Sequence, residues 1–130
     1  TQMAYLQAHP EIQYTVTQVR YFLGTGCGLP PGFRSELLDR DLVGYIMETL
    51  VARKSVFTQV GMFNTHYQLA EDVDWYARAK DLQIPAAVIP VVLLHKRVHD
   101  HNSSTNARVS NQALLQVLRQ SIQRQKTAPQ

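Results

Sequence analysis

The chain of 130 residues lacks the features that stabilise or anchor several classes of protein. Its single cysteine, Cys27, excludes an intramolecular disulfide and fits a reducing compartment. Its longest apolar run, Ile84 to Leu94, contains two prolines and is shorter than the ~20 residues that a bilayer-spanning helix needs. The N-terminus shows no secretory signal pattern. We therefore expect a soluble, cytoplasmic protein, or one held peripherally at a membrane.

The glycines form none of the familiar phosphate-binding loops. Gly24, Gly26 and Gly28 cluster in the segment Gly24–Gly32, which also contains two prolines and is predicted to be a loop. They lack the spacing of a dinucleotide-binding fingerprint, and the lysine of a P-loop is missing. This segment is therefore not expected to bind a nucleotide by either motif.

Charge is distributed unevenly along the chain, although the net charge is only +3. Residues 1–79 carry six Lys/Arg against eight Asp/Glu, whereas residues 80–130 carry seven against two. The basic C-terminal part could face a diphosphate, an anionic membrane surface or nucleic acid, or it could be a solvated helix. Nucleic acid is not expected as a partner, because the positive residues lie in two separate segments without interleaved aromatics.

The patterns of apolar and polar residues predict an α/β domain. The hydrophobic content of 45% is enough to form a core. In the first half of the chain the predicted elements are a helix over Met3–Ala8, a strand over Ile12–Leu23, a short helix around Glu36–Asp41 and a strand over Met47–Arg53. One helical turn over Val56–Val60, which Ser55 caps and Gly61 ends, and a helix over Glu71–Leu82 follow. Two short buried strands within Ile84–Leu94 are separated at Pro90, and a long helix over Asn106–Lys126 has an apolar stripe of Leu114, Leu115, Leu118 and Ile122.

Three carboxylates stand at the start of the predicted helix Glu71–Leu82. Glu71, Asp72 and Asp74 could simply interact with the positive end of the helix dipole. Alternatively, a carboxylate held there beside a bound sugar could take a proton from an attacking hydroxyl group. Composition does not separate these two interpretations, but the surrounding motifs bear on them.

The segment Ser55–Asn102 carries several short motifs in a definite order. They are Val60-Gly61-Met62-Phe63-Asn64, Glu71-Asp72, Asp74-Trp75, Arg78, Ile89-Pro90, Leu93-Leu94, Lys96-Arg97, His99 and Asn102. In order and spacing this segment resembles the second half of the catalytic domain of family 2 glycosyltransferases. Upstream, Ala4–Phe22 resembles the helix and strand that follow the family's metal-binding Asp-X-Asp motif, and Leu118–Lys126 resembles tails of such enzymes.

This resemblance implies a partial GT-A-like fold, in which a mixed sheet is flanked by helices and followed by a long C-terminal helix. Residues 1–130 would be one domain, the acceptor-side half of the catalytic domain, with an α/β part over 1–104 and a terminal helix over 105–126. The implied reaction transfers a sugar, with inversion, from a nucleotide-sugar donor to a hydroxyl of a glycan or lipid-linked acceptor.

The resemblance also implies roles for individual residues. Asp72 matches the carboxylate proposed as the general base, with Glu71 beside it. Trp75 and Arg78 would bind or shape the acceptor side or support the base, although Trp75 could instead pack in the core. A divalent metal, Mg or Mn, is expected for the complete enzyme.

Four basic side chains form a second candidate group. If the backbone stays extended, His95, Arg97, His99 and His101 share one face. Arg97 and His99 would then suit a diphosphate, and the resemblance makes His99 a candidate metal ligand. A zinc site and ordinary surface histidines are the alternatives.

The sequence departs from the family pattern in ways that limit the expected activity. The nucleotide-binding first half and its Asp-X-Asp motif have no counterpart, and both similar triplets, Asp39–Asp41 and Asp72–Asp74, are misplaced for metal binding. Met62 and Asn64 stand where a glycine and an aspartate are common. We therefore expect the chain to be inactive alone.

A non-catalytic role is the main alternative. The amphipathic helix Asn106–Lys126 could mediate homo-oligomerisation or contact another subunit, because an isolated half-domain would expose apolar surface and sheet edges.

Overall fold

The structure, a computed structural model, describes residues 1–99 and 107–129, with the backbone alone for residues 107–110. It is mixed α/β, as predicted. Short 3-10 turns at Ser35–Leu37 and Met47–Thr49 accompany the main elements. These are α1 (Gln2–Ala8), β1 (Tyr14–Leu23), β2 (Asp41–Val43), β3 (Val51–Ala52), α2 (Lys54–Val60), α3 (Glu71–Asp81), β4 (Ala86–Val98) and α4 (Ala107–Thr127).

The four described strands form one mixed sheet around β1. The short strands β2 and β3 both pair with β1 in antiparallel orientation, through Gln18↔Val43 and Tyr14↔Ala52. The long strand β4 pairs with β1 in parallel, from Tyr14↔Ala86 to Leu23↔Val98. Because Tyr14 and Gln18 each pair on both sides, β2 and β3 lie along one edge of β1 and β4 lies along the other.

The prediction of two strands interrupted at Pro90 was wrong, because β4 is continuous over 13 residues. The register shifts here, since Thr17 pairs with Ile89 but Gln18 pairs with Val92. Proline has no backbone N–H to donate to a sheet, and a bulge places it where none is needed. The strand also continues beyond Leu94, through the basic residues that the sequence left outside it.

Two further boundaries differ from the prediction. The helix expected around Glu36–Asp41 is only a 3-10 turn followed by β2. The strand expected over Met47–Arg53 is confined to Val51–Ala52, because Met47–Thr49 turns instead. Helix α2 begins after Arg53 rather than after Ser55, but Gly61 ends it as predicted, with φ of +91° in the region that favours glycine.

The main core lies between one face of β1 and the helices α2 and α3. Its centre is Trp75, which is 0% exposed and has Tyr14, Phe57, Phe63 and Tyr76 as ring neighbours. The buried residues that share this cluster are Tyr14, Val16, Val56, Val60, Trp75, Tyr76 and Ala79. Helix α3 therefore supplies both the centre of the core and, at its N-terminus, the acidic residues of the candidate site.

Helix α4 packs on α3 through a second cluster and a polar junction. Val117 is buried with Tyr67 and Ala70. Asp81, on α3, accepts hydrogen bonds from Ser121 at 2.8 Å and from Arg124 Nε at 2.9 Å. Burial opposes the ionisation of Asp81, but hydrogen bonds from Gln125, Ser121 and Arg124 outweigh it and lower the pKa.

The predicted apolar stripe of α4 does not contribute to the core. Its members are between 39% and 59% exposed: Leu114, Leu115, Leu118 and Ile122. Among the helices within residues 1–99 and 107–129, none combines the length and the apolar character needed to cross a membrane.

Candidate functional site

Asp72 lies in the first turn of α3 and is partly buried. Its Oδ1 accepts a hydrogen bond of 2.8 Å from the backbone N–H of Val73. Burial raises the pKa of Asp72, and the negative charges of Glu71 and Glu48 raise it further, against the lowering effect of the Val73 hydrogen bond. A carboxylate with a raised pKa binds a proton more readily than an ordinary aspartate does, as a general base must.

Glu48 and Lys96 form an ion pair near Asp72. Lys96 Nζ lies 2.8 Å from Glu48 Oε1. Although burial opposes the ionisation of Glu48, the hydrogen bond from Lys96 outweighs it and lowers the pKa of that carboxyl. The pKa of Asp72 is therefore raised, whereas the pKa of the neighbouring Glu48 is lowered. The two carboxyl groups thus differ in their affinity for a proton.

The segment that carries Glu48 is fixed by hydrogen bonds to its backbone. The hydroxyl of buried Thr49 donates to the carbonyls of Gly44 and Ile46. The hydroxyl of Tyr76 also donates to the Ile46 carbonyl, at 2.9 Å. Gly44 is required here, because a Cβ would meet Thr49 Cγ2 at 2.8 Å. The turn that presents Glu48 is therefore attached to the same helix as Asp72.

Helix α3 also lines a cleft of about 640 Å³, although Asp72, Glu48 and Lys96 are not among its lining residues. Its lining includes Tyr14, Tyr45, Val73 and Tyr76. Val73 follows Asp72 directly, and Tyr76 lies one helical turn after it, so α3 carries both the carboxylate and part of the cleft wall. The ring of half-exposed Tyr45 meets Tyr76 edge to face, with centroids 5.4 Å apart. Aromatic walls with polar hydroxyl groups suit a ligand that has both apolar faces and hydroxyl groups.

Glu71 has a buried carboxylate oxygen without a protein partner. Within the described residues its Oε2 accepts no hydrogen bond. Unpartnered buried acceptors are rare in folded proteins because they lose the hydrogen bonds that water would supply. Because this oxygen has no exposed area for a ligand, Glu71 acts on the site through its charge, which raises the pKa of Asp72.

Asp74 and Arg78 join the candidate site to the core. Asp74 is buried, and Arg78 Nε donates to its Oδ2 at 3.0 Å. The other two guanidinium nitrogens donate to the carbonyls of Val60 and Met62, both at 2.7 Å. Arg78 thus supports the acidic end of α3 by tying it to the chain that follows α2.

Trp75 contributes to this support rather than to an open surface. Its Nε1 donates to the Gly61 carbonyl at 3.0 Å, and the indole has no exposed area through which a ligand could contact it.

We expect Arg78→Lys to lower the free energy of unfolding by ~1–3 kcal/mol. Lysine keeps the charge, but one ammonium group does not reproduce the planar fork that reaches Asp74 and two carbonyls. Urea denaturation would measure the loss, with Arg34→Lys as the control because the Arg34 side chain is 72% exposed. Equal stability of both variants would contradict a supporting role for Arg78.

The basic residues of β4 point in two directions. Period-2 alternation places Lys96 on the face opposite His95 and Arg97, both of which are exposed. The prediction that His95 and Arg97 share a face is therefore confirmed. Lys96 reaches Glu48, whereas the Arg97 side chain lies against Gly24, where an added Cβ would stand 3.2 Å from Arg97 Cδ.

The remaining members of that predicted group are only partly located. His99 follows the end of β4, while His101 and the motif residue Asn102 lie outside the described residues. In residues 1–99 and 107–129, no three His, Cys, Asp or Glu side chains are grouped so as to hold a metal ion. The described residues therefore do not fit a metal site of their own.

Sequence reasoning missed three residues of the group around Asp72. Tyr76 could have been found, since helical spacing places it one turn after Asp72. Lys96 was noted only as part of a motif. Glu48 carried no signal, because the segment around it was predicted to be a strand and nothing local indicated a contact with residues so distant in sequence.

Comparisons with protein families, with curated proteins and with solved structures found no match to this chain.

Proposed function

We propose that this chain forms the acceptor side of an inverting glycosyltransferase, with Asp72 as the general base. The acceptor hydroxyl oxygen bonds to the anomeric carbon as the bond from that carbon to the nucleotide diphosphate breaks. The diphosphate leaves with the bonding electrons, and Asp72 takes the hydroxyl proton. Donor binding, and any metal that assists it, belong to another part of the complete enzyme.

The observation that carries this proposal is the environment of Asp72. It is partly buried at the start of α3, has a raised pKa and lies one residue from the wall of an aromatic cleft. The same two residues, Glu71 and Asp72, are those that the resemblance to family 2 glycosyltransferases singles out. The burial and raised pKa of Asp72 therefore support the same residue as the order of the motifs.

The tyrosine lining of the cleft favours a hydroxyl-rich acceptor. Tyrosine rings pack against the apolar faces of sugars, while their hydroxyl groups and nearby carboxylates exchange hydrogen bonds with sugar hydroxyls. In this proposal the charge of Glu71 raises the pKa of Asp72, and Asp72 takes the proton.

Incubation of the complete enzyme with a set of nucleotide-sugars and candidate acceptors would test the function. We expect transfer to a hydroxyl group with inversion at the anomeric carbon, which NMR coupling constants of the product would reveal. Release of nucleotide diphosphate together with retained configuration, or no turnover of any nucleotide-sugar, would reject the proposal.

The pH dependence of transfer offers a second prediction. Asp72 acts as a base only when ionised, so rate is lost as pH falls through its pKa, which burial places above the usual range for aspartate. Because the Glu71 charge also raises this pKa, Glu71→Gln should lower it and move the acid limb of kcat/KM to lower pH.

The position of that limb, rather than the maximal rate, is the quantity to compare. Glu36→Gln, which neutralises an exposed acid elsewhere, should leave the limb in place. A limb that stays unchanged in Glu71→Gln would show that another group controls the acid side.

A further inference from the structure

The outer surface of α4 combines apolar and cationic residues. Its stripe, defined here as Leu114, Leu115, Leu118 and Ile122, is exposed although the helix packs on α3 through Val117. The stripe continues into a cleft of about 700 Å³ between α3 and α4, which Val73 and Ala77 also line. Contiguous exposed apolar side chains of this kind mark interaction surfaces in many proteins.

Cations border the stripe on both sides. Arg119 lies one turn after Leu115 and Lys126 one turn after Ile122, and both are exposed. Lys80 borders the cleft from the α3 side. The sequence of α4 contains four Lys/Arg and no Asp or Glu. The acid at the cleft, Asp81, is neutralised by its ion pair with Arg124, so this face is cationic.

This charge pattern distinguishes between possible occupants. A second copy of the chain, related by two-fold symmetry, would bring two copies of this cationic face together. An anionic lipid surface instead attracts the cations while its acyl region accepts the leucines, as for helices that lie in the plane of a bilayer. At 21 residues, α4 is about 30 Å long and could lie along that plane.

We propose that the stripe of α4 and its flanking cations dock this protein on an anionic membrane surface. The helix would lie parallel to the bilayer with the stripe in the boundary between headgroups and acyl chains. Arg119, Lys126 and Lys80 would contact lipid phosphates. This inference is independent of the proposed chemistry at Asp72.

Sedimentation of the 130-residue chain with lipid vesicles tests the proposal. We expect binding to phosphatidylcholine vesicles that contain about one third phosphatidylglycerol, weaker binding at high salt and little binding to phosphatidylcholine alone. Leu115→Gln with Leu118→Gln should weaken binding on the order of tenfold or more, because two apolar side chains lose their burial. Arg119→Gln with Lys126→Gln should weaken it by a similar factor.

Matched controls separate the position of these residues from their chemistry. Met3→Gln with Met62→Gln removes two exposed apolar side chains elsewhere, and Arg34→Gln with Arg40→Gln removes two exposed cations elsewhere. Neither pair should alter binding more than slightly. Circular dichroism would establish that every variant remains folded.

Two results would overturn the proposal. The first is that no anionic vesicles are bound, and the second is that Leu115→Gln with Leu118→Gln leaves binding unchanged. The first result could be accompanied by a dimer, seen by light scattering without lipid, that the same leucine variant dissociates. That result would assign the stripe to a second copy of the chain.

Discussion

Replacement of Trp75 by alanine is expected to lower the free energy of unfolding by ~3–5 kcal/mol. Trp75 is fully buried and has four aromatic neighbours in the core between β1, α2 and α3. The substitution leaves a large cavity and also removes the donor of the hydrogen bond to the Gly61 carbonyl. Because domains of this kind are stable by only ~5–15 kcal/mol, the loss is a large part of the total.

Urea denaturation followed by circular dichroism would measure this effect. Trp75→Phe serves as the graded variant, since it keeps an aromatic ring and should lose less stability, ~1–3 kcal/mol. Met62→Ala is the control, because Met62 is 69% exposed and its truncation should cost little. If Trp75→Ala were as stable as Met62→Ala, the core described here would be wrong.

Much of the fold could be predicted from local patterns. The β-branched and aromatic residues of Tyr14–Leu23 form a strand, as their composition predicts. The helix α3 has acidic residues in its first turn and Arg78 and Lys80 in its last turn, the charge distribution that favours a helix. The continuity of β4 could not be predicted, because Pro90 locally favours an interruption of the strand. Pairing with β1 on both sides of a bulge at Pro90 nevertheless keeps the strand continuous. Tertiary pairing of this kind leaves no local trace.

The candidate site was predictable only where its residues lie on one helix. Asp72 was identified from its position at a helix start and from the motifs around it. The contact of Glu48 with Lys96 joins residues 48 positions apart and depends on how a 3-10 turn lies against the sheet. Likewise, the α4 stripe was predicted as an apolar face, but only the packing of Val117 shows that the stripe points outward.

The two proposals have a joint consequence for the acceptor. Val73, Ala77 and Lys80 line both the tyrosine cleft and the cleft beneath the α4 stripe. A membrane held against α4 would therefore lie beside the proposed acceptor cleft. Together the proposals favour a lipid-linked acceptor over a soluble glycan.

Asp72→Asn in the complete enzyme is expected to lower kcat by about 10²–10⁴-fold. Asparagine preserves the shape of the side chain but does not accept the proton of the acceptor hydroxyl. Because the proposal assigns donor binding to other residues, the Kd of the nucleotide-sugar should be nearly unchanged. Asp39→Asn provides the matched control, since Asp39 is exposed and its positive φ is tolerated by asparagine.

The most direct test combines single-turnover transfer with calorimetric donor binding for the Asp72→Asn and Asp39→Asn variants. The proposal predicts that Asp72→Asn binds donor normally and transfers sugar at least about a hundredfold more slowly, while Asp39→Asn matches the unmodified enzyme. Transfer at an unchanged rate by Asp72→Asn would contradict the assignment of Asp72 as the general base.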